Sequence, residues 1–346
     1  MPSAAIDTFF ACTVLIAAAL IATASLTATM QTNINNMQDL NHPSYLKNIA
    51  EQIVTSVGSP VDWGSSGTVP ENFGLAQVGG SDAYMIDVDK ICRLNNQSGY
   101  LPYNEATYAA KLNKLAFGIS VNQMLSIAIE PTGNSTVGET TTYNFEIKVR
   151  ANLVPTKADL NCYIIAKDSI QNVSQATSNN GVGNVSFELQ SSSSGNILLV
   201  IFARAALDER LTAYKTYAFT HLSGEILPNQ TFLGLSPLDN KLNINITTSG
   251  ATIDECHAFC FAYQAEANFI SSGIYEIPNW ADKSPIVLVA TGMYEGAFFS
   301  EWTAYPPVPL SYGSNFANTD QNAFVYTVTI KGVLYRLTVT LGEVSE

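Results

Sequence analysis

The chain has 346 residues, 47% hydrophobic and only 13% charged, with a formal net charge of −13. That is enough apolar material for two or three folded domains and too much for a disordered chain. The acidic balance and the 16 scattered Lys and Arg residues exclude a basic groove for nucleic acid and an affinity for anionic membrane surfaces.

Thr8 to Met30 is an uncharged apolar run. It predicts one helix long enough to cross a bilayer or to form the apolar centre of a filament. Phe9, Phe10, Val14, Leu20, Ile21 and Leu26 alternate there with Ala17, Ala18 and Ala22. Small residues let helix backbones approach closely, so the run suits helix–helix packing. A cleaved secretory signal is the rival reading, but it wants basic residues at its start, and Met1 to Asp7 has none. The helix is expected to continue to about residue 58, kinked near Pro43. Leu46, Ile49, Ile53, Val54 and Val57 repeat with helical spacing, and Gly58-Ser59-Pro60 ends the element.

Residues 59–122 read as a small α/β joint. Turns anchored by Trp63 and Phe73 come first, then a short strand at Ala83–Asp87 and a short helix at Asp87–Leu94. A second helix is expected over Asn104–Leu115, with Asn104 as its N-cap. From residue 123 the apolar period changes to two. Strands are expected at Met124–Ile129, Thr141–Ala151, Asp159–Ala166, Asn184–Leu189, Asn196–Ala203, Thr216–Leu222, Lys241–Thr247, Ala258–Gln264 and Ile286–Thr291. Tyr143–Arg150 alternates apolar and polar residues without a break, the pattern of a strand with one wet face. Ala323–Thr340 reads as a hairpin turning at Lys331-Gly332. Many short strands at such intervals make 123–346 a β-sandwich head, in one module or in two at about 123–210 and 211–346.

Six glycosylation sequons follow the apolar run, at Asn96, Asn134, Asn172, Asn184, Asn229 and Asn245, and none precedes it. Their placement fits an extracytoplasmic domain carrying N-linked glycans. Cys92, Cys162, Cys256 and Cys260 form an even set, which in an exported domain reads first as disulfides, with three pairings open. Cys256-His257-Ala258-Phe259-Cys260 could offer three zinc ligands, but no second Cys/His pair lies nearby, and disulfides or buried thiols read better. Asp82, Asp87 and Asp89 lack the dense spacing of a calcium loop. No phosphate loop and no nucleophile elbow is present. Neither cofactor nor catalytic set is therefore expected. Phe298, Phe299, Trp302, Tyr305 and Tyr312 surround three prolines, either as an exposed binding patch or as a loop pinned on the sandwich.

Two resemblances add to this. Tyr143–Arg150, Cys162-Tyr163-Ile164-Ile165, Ala176–Phe187 and Leu198–Ile201 make residues 124–206 similar to an immunoglobulin-like module of bacterial and archaeal surface proteins. The apolar helix, Gly58–Gly64, Phe73–Ala76 and Ile86–Leu94 make residues 4–95 resemble archaeal type IV pilin-like proteins. Met1–Ala5 lacks the basic leader of a prepilin. The second resemblance implies that Phe9, Phe10, Val14, Ala17, Ala18, Leu20, Ile21, Ala22 and Leu26 form a filament core. The fold expected is mainly β with a long N-terminal α-helix, an Ig-like sandwich head on a hydrophobic helical tail. The function expected is a structural subunit of an extracellular pilus-like filament. Its partners would be identical copies in a homopolymer, and the membrane before assembly. The alternative is a single-pass, membrane-anchored surface glycoprotein or adhesin that does not polymerise.

Overall fold

The computed structural model describes residues 20, 21, 23, 25, 43–95, 99–112, 115–314, 316 and 321–343. Helix α1 (Pro43–Thr55) starts on a proline, whose fixed φ and missing N–H suit a first helical turn. It buries Leu46, Ala50, Ile53 and Val54, one face at helical spacing. Three short helices follow: α2 (Trp63–Ser66), α3 (Val88–Arg93) and α4 (Tyr103–Ala109). Asp87 caps α3, its carboxylate accepting from the N–H groups of Asp89 and Lys90. Helix α4 follows Pro102 rather than starting from Asn104, and Lys111 in the left-handed region (φ 55°) closes off its C-terminal side. The chain then enters β1 (Leu115–Gln123).

Two sandwiches come next, joined head to tail along the chain. The first holds β2 (Leu125–Val137), β3 (Thr140–Ala151), β4 (Val154–Pro155), β5 (Ala158–Ala166), β6 (Ser169–Ala176), β7 (Val182–Gln190), β8 (Gly195–Ala205) and β9 (Thr212–His221). In one sheet β3 pairs with β2, β4 and β7; the other has the order β6-β5-β8-β9. The second sandwich holds β10 (Leu233–Leu238), β11 (Lys241–Ile246), β12 (Thr252–Phe259), β13 (Gln264–Glu266), β14 (Phe269–Ser271), β15 (Ile274–Glu276), β16 (Ile286–Tyr294) and β17 (Ala297–Tyr305). Its sheets have the orders β10-β11-β15-β14 and β13-β12-β16-β17.

The inner sheets of the two sandwiches stack on each other. On β5, Leu160, Cys162 and Ile164 face the first sandwich core, while Tyr163 and Ile165 face the second sandwich. On β8, Ile197, Leu199 and Ile201 face inward, while Leu198, Val200 and Phe202 face outward. The outward set meets Phe259, Val287, Val289 and Ala304 of the second sandwich. Four sheets thus form four layers with three apolar seams.

The chain then returns through β18 (Leu310–Gly313), β19 (Gln321–Ile330) and β20 (Val333–Glu343) to a fifth sheet, order β18-β1-β20-β19. Its hairpin turns at Lys331 (φ 48°) and Gly332 (φ 83°), the twin positive φ of a type I′ turn. Helices α1–α4 cover one face of this sheet, with Trp63, Phe117, Tyr335 and Leu337 in the shared core.

These findings correct the expected fold. Among the described residues the chain is mostly β, in five antiparallel sheets with short helices. Among the described residues the longest continuous helix, α1, has 13 residues, and no helix there is long and apolar enough to cross a membrane. A long N-terminal helix over 1–58 is therefore not supported, and the pilin-like resemblance falls with it. The physical reason lies in α1: its apolar stripe is buried on β19 and β20 of its own chain, and the helix stops at Thr55, before Val57. Of the expected filament-core residues, Leu20 and Ile21 are helical and exposed, at 65% and 68%. Phe9, Phe10, Val14, Ala17, Ala18, Ala22 and Leu26 lie outside the described residues.

Phe202 is fully buried in the seam between sandwiches. Truncating such a side chain costs roughly 3–5 kcal/mol. Phe202→Ala is expected to lower the unfolding free energy in urea by that amount.

Candidate functional site

The buried charges of this chain gather where its parts meet. Trp63 is fully buried, with the Lys90 ammonium 5.8 Å and the Arg93 guanidinium 5.7 Å from its ring. Lys90, itself fully buried, donates to the carbonyls of Val57 (2.7 Å) and Ala76 (2.8 Å). Arg93 donates to the carbonyls of Gly99 (2.9 Å), Thr68 (2.6 Å) and Trp63. Burial lowers both pKa values. These cations take the place of secondary structure, holding turns whose carbonyls have no ladder partner.

Asp89 is the joint between this region and the second sandwich. Its Oδ1 accepts from the Asp239 N–H (2.9 Å) and from the Tyr305 hydroxyl (3.0 Å). Lys331, at the tip of the β19–β20 hairpin, lies 5.1 Å over the Tyr305 ring. Burial raises the Asp89 carboxyl and lowers Lys331. Glu301, 3% exposed, accepts from the N–H groups of Phe232 (2.7 Å) and Leu233 (2.8 Å), and burial raises its carboxyl too. It stands in for a missing strand beside β17.

Between the sandwiches, Arg204 pairs with Asp282 (2.7 Å) and stacks 4.0 Å from the Phe261 ring centre. Asn161 donates to the Phe261 carbonyl (2.7 Å), and the Tyr163 hydroxyl donates to that of Cys260 (3.0 Å). At the rim a polar cleft of about 440 Å³ is lined by Lys167, Asp168, Glu255, His257 and Thr291. His257 Nε2 donates there to Glu255 (2.8 Å). In the fully buried His221, Nε2 donates to the Gln190 carbonyl (3.0 Å) and Nδ1 bonds the Tyr143 hydroxyl (2.9 Å).

The residues singled out in the sequence fall as follows. Cys92, Cys162, Cys256 and Cys260 are buried, free thiols in place of disulfides. Cys162 sits in the first sandwich core, the other three in the second. Cys256 and Cys260 are four residues apart at the end of β12, where a rise of about 3.3 Å per residue takes them beyond the ~7 Å Cα limit for a bridge. Burial pushes Cys162, Cys256 and Cys260 up to about 12, and raises Cys92 as well, so they stay protonated and poor nucleophiles at neutral pH. His257 faces away from the two thiols, towards the seam, 6.1 Å from the Phe259 ring. Asp82 and Asp87 bond backbone N–H groups of their own turns. No group of three or more His, Cys, Asp or Glu among the described residues is placed to hold a metal ion. Phe298, Phe299, Tyr305 and Tyr312 are buried rather than presented as a patch. Asn134, Asn172, Asn184, Asn229 and Asn245 are exposed, and Asn96 lies outside the described residues. Asn229 is exposed but engaged, its amide exchanging two hydrogen bonds with the Trp302 backbone (2.7 and 2.8 Å).

No family model matches the chain, and no curated protein matches it. Among solved structures it is similar to HBP35 of Porphyromonas gingivalis, at 11% identity and a TM-score of 0.20, over 52% of this chain and 63% of that one. The match spans less than two thirds of that chain's length and assigns neither fold nor function.

The Asp89 joint has a pH signature. A carboxyl raised above its ordinary 3.8 holds its proton to higher pH in the folded chain than in the unfolded one. Its stabilising share is full below the ordinary value of 3.8 and is lost as pH rises from there through the raised value. Asp89→Asn keeps an acceptor oxygen for both bonds and removes the titration. Urea midpoints are expected to move in favour of the variant as pH rises through this window; a pH-independent difference contradicts the assignment. Asp89→Ala removes the acceptor of both bonds and is expected to cost about 1–3 kcal/mol at low pH, and less as pH rises through this window.

Proposed function

We propose that the chain is an extracellular surface glycoprotein with a structural role, in which stacked β-sandwiches form a stiff spacer that carries glycans. The observation that carries this reading is the exposure of every described sequon asparagine, all five of them on the two sandwiches or the segment between them. The buried polar groups support the same reading. Lys90, Arg93, Asp89, Glu301 and Arg204 are each committed to a carbonyl, an N–H, a hydroxyl or an ion pair that ties one part of the chain to another. Groups so engaged have a structural use, and the reading assigns them no substrate.

Assembly into a filament through Phe9–Leu26 is not carried into this reading. It was built on a long apolar helix, and the described residues give that helix no support.

Peptide mapping by mass spectrometry of the protein from its native cell surface tests the proposal. Glycan is expected at Asn134, Asn184 and Asn245. Asn229 is expected at lower occupancy, because its amide is tied to Trp302. Unmodified asparagine at every sequon would sink the reading.

A further inference from the structure

The fifth sheet ends on β19, and its outer edge is open. Thr329 fixes which backbone groups face outward. Its N–H donates to the Tyr84 carbonyl (3.0 Å) and its carbonyl accepts from the Ile86 N–H (2.9 Å), a parallel bridge to Met85 on the side away from β20. On the other side β19 pairs with β20 at ten positions without a register shift. Outward groups in a strand alternate, so Gln321, Ala323, Val325 and Thr327 also turn N–H and carbonyl away from β20. No bond to these groups occurs among the described residues.

The edge lacks the usual protection of a charge, a proline or a bulge. Gln321–Ile330 contains no charged residue and no Pro or Gly, in a chain of net charge −13. Ala323, Val325 and Thr327 are exposed, Val325 at 63%. No described sequon asparagine lies on β1, on β18–β20 or on α1–α4, so glycans at these sites would attach away from the edge.

We propose that β19 pairs antiparallel with β19 of a second copy of this chain, joining two four-stranded sheets across a two-fold axis. Residues Tyr84–Ile86 block the edge at Thr329 and set the register. With the axis at Phe324, Ala323 lies opposite Val325 of the second copy and Gln321 opposite Thr327, and every open N–H and carbonyl finds a partner. An uncharged strand is the segment on which two acidic chains can meet with no like charges opposed. The interface uses the same patch on both copies and closes at two. It stands independently of the surface role proposed above.

Sedimentation velocity of the purified full-length chain over a concentration series tests this. The mass is expected to rise from one 37.2 kDa chain, plus any glycan, to twice that value. Two double variants at exposed positions, Ala323→Lys/Val325→Lys and Ala323→Glu/Val325→Glu, are each expected to stay monomeric where the wild type is dimeric. An equimolar mixture of the two is expected to regain the dimer, which also shows that both are folded. A wild type that is monomeric throughout, a dimer that survives in both variants, or a mixture that stays monomeric overturns the proposal. Amide-exchange protection of Val325 and Thr327 in a monomer overturns it too, by placing another segment of the same chain on the edge.

Discussion

The apolar seam between the two sandwiches sets the terms for the rest of the molecule. Tyr163, Ile165, Leu198, Val200 and Phe202 on one side meet Phe259, Val287, Val289 and Ala304 on the other. A sheet that serves two cores has no wet face, so β5, β8 and β16 must be apolar on both sides. Burial follows, with almost every residue of these strands inaccessible. The aromatic pair Tyr163–Phe259, 4.9 Å between ring centres, is the closest ring contact across the seam. Tyr163 then needs a partner for its hydroxyl in a dry place, and the Cys260 carbonyl supplies it.

The same constraint explains why so few charges are buried and why those few sit at joints. Seams made of apolar side chains resist sliding weakly, because dispersion and burial have little directionality. Hydrogen bonds and ion pairs fix orientation instead. Arg204–Asp282 pins the two sandwiches at one rim, and Asp89–Tyr305 pins the helical region to the second sandwich. Removing one partner of such an ion pair leaves an uncompensated buried charge, at a cost of roughly 3–5 kcal/mol.

Much of the β architecture was legible in the sequence. Tyr143–Arg150 alternates because one of its faces packs and the other is wet, and the Lys331-Gly332 hairpin stands where the turn chemistry placed it. The long helix was misread because apolar spacing in Leu46–Val54 says that a face is buried, not what buries it. Strand β1 was missed because Leu115–Gln123 pairs with β20 and β18, more than 180 residues away, and no local pattern encodes such a partner. The state of the cysteines was not legible either, because cysteine counts carry no distances and left disulfides and buried thiols both open. The joints were invisible too. Asp89, which carries no local signal beyond its acidic neighbours, meets Tyr305, 216 residues further along the chain. The double-sided burial of β8 did have a signal, the unbroken run Ile197–Phe202, which differs from the alternation of a strand with one wet face.

The fifth sheet is built from both flanks of the chain, with β1 and β20 aligned antiparallel at nine positions. The two sandwiches, β2 to β17, are in effect a large insertion between β1 and β18. Tension applied at residues 43 and 343 would therefore run through the helices and the β1–β20 ladder and bypass the sandwiches. As long as that ladder held, the sandwiches would hang beside the loaded strands as an unstretched side arm. The mechanical strength of the molecule would then be that of its fifth sheet, and the four stacked layers would bear load only after that sheet had opened.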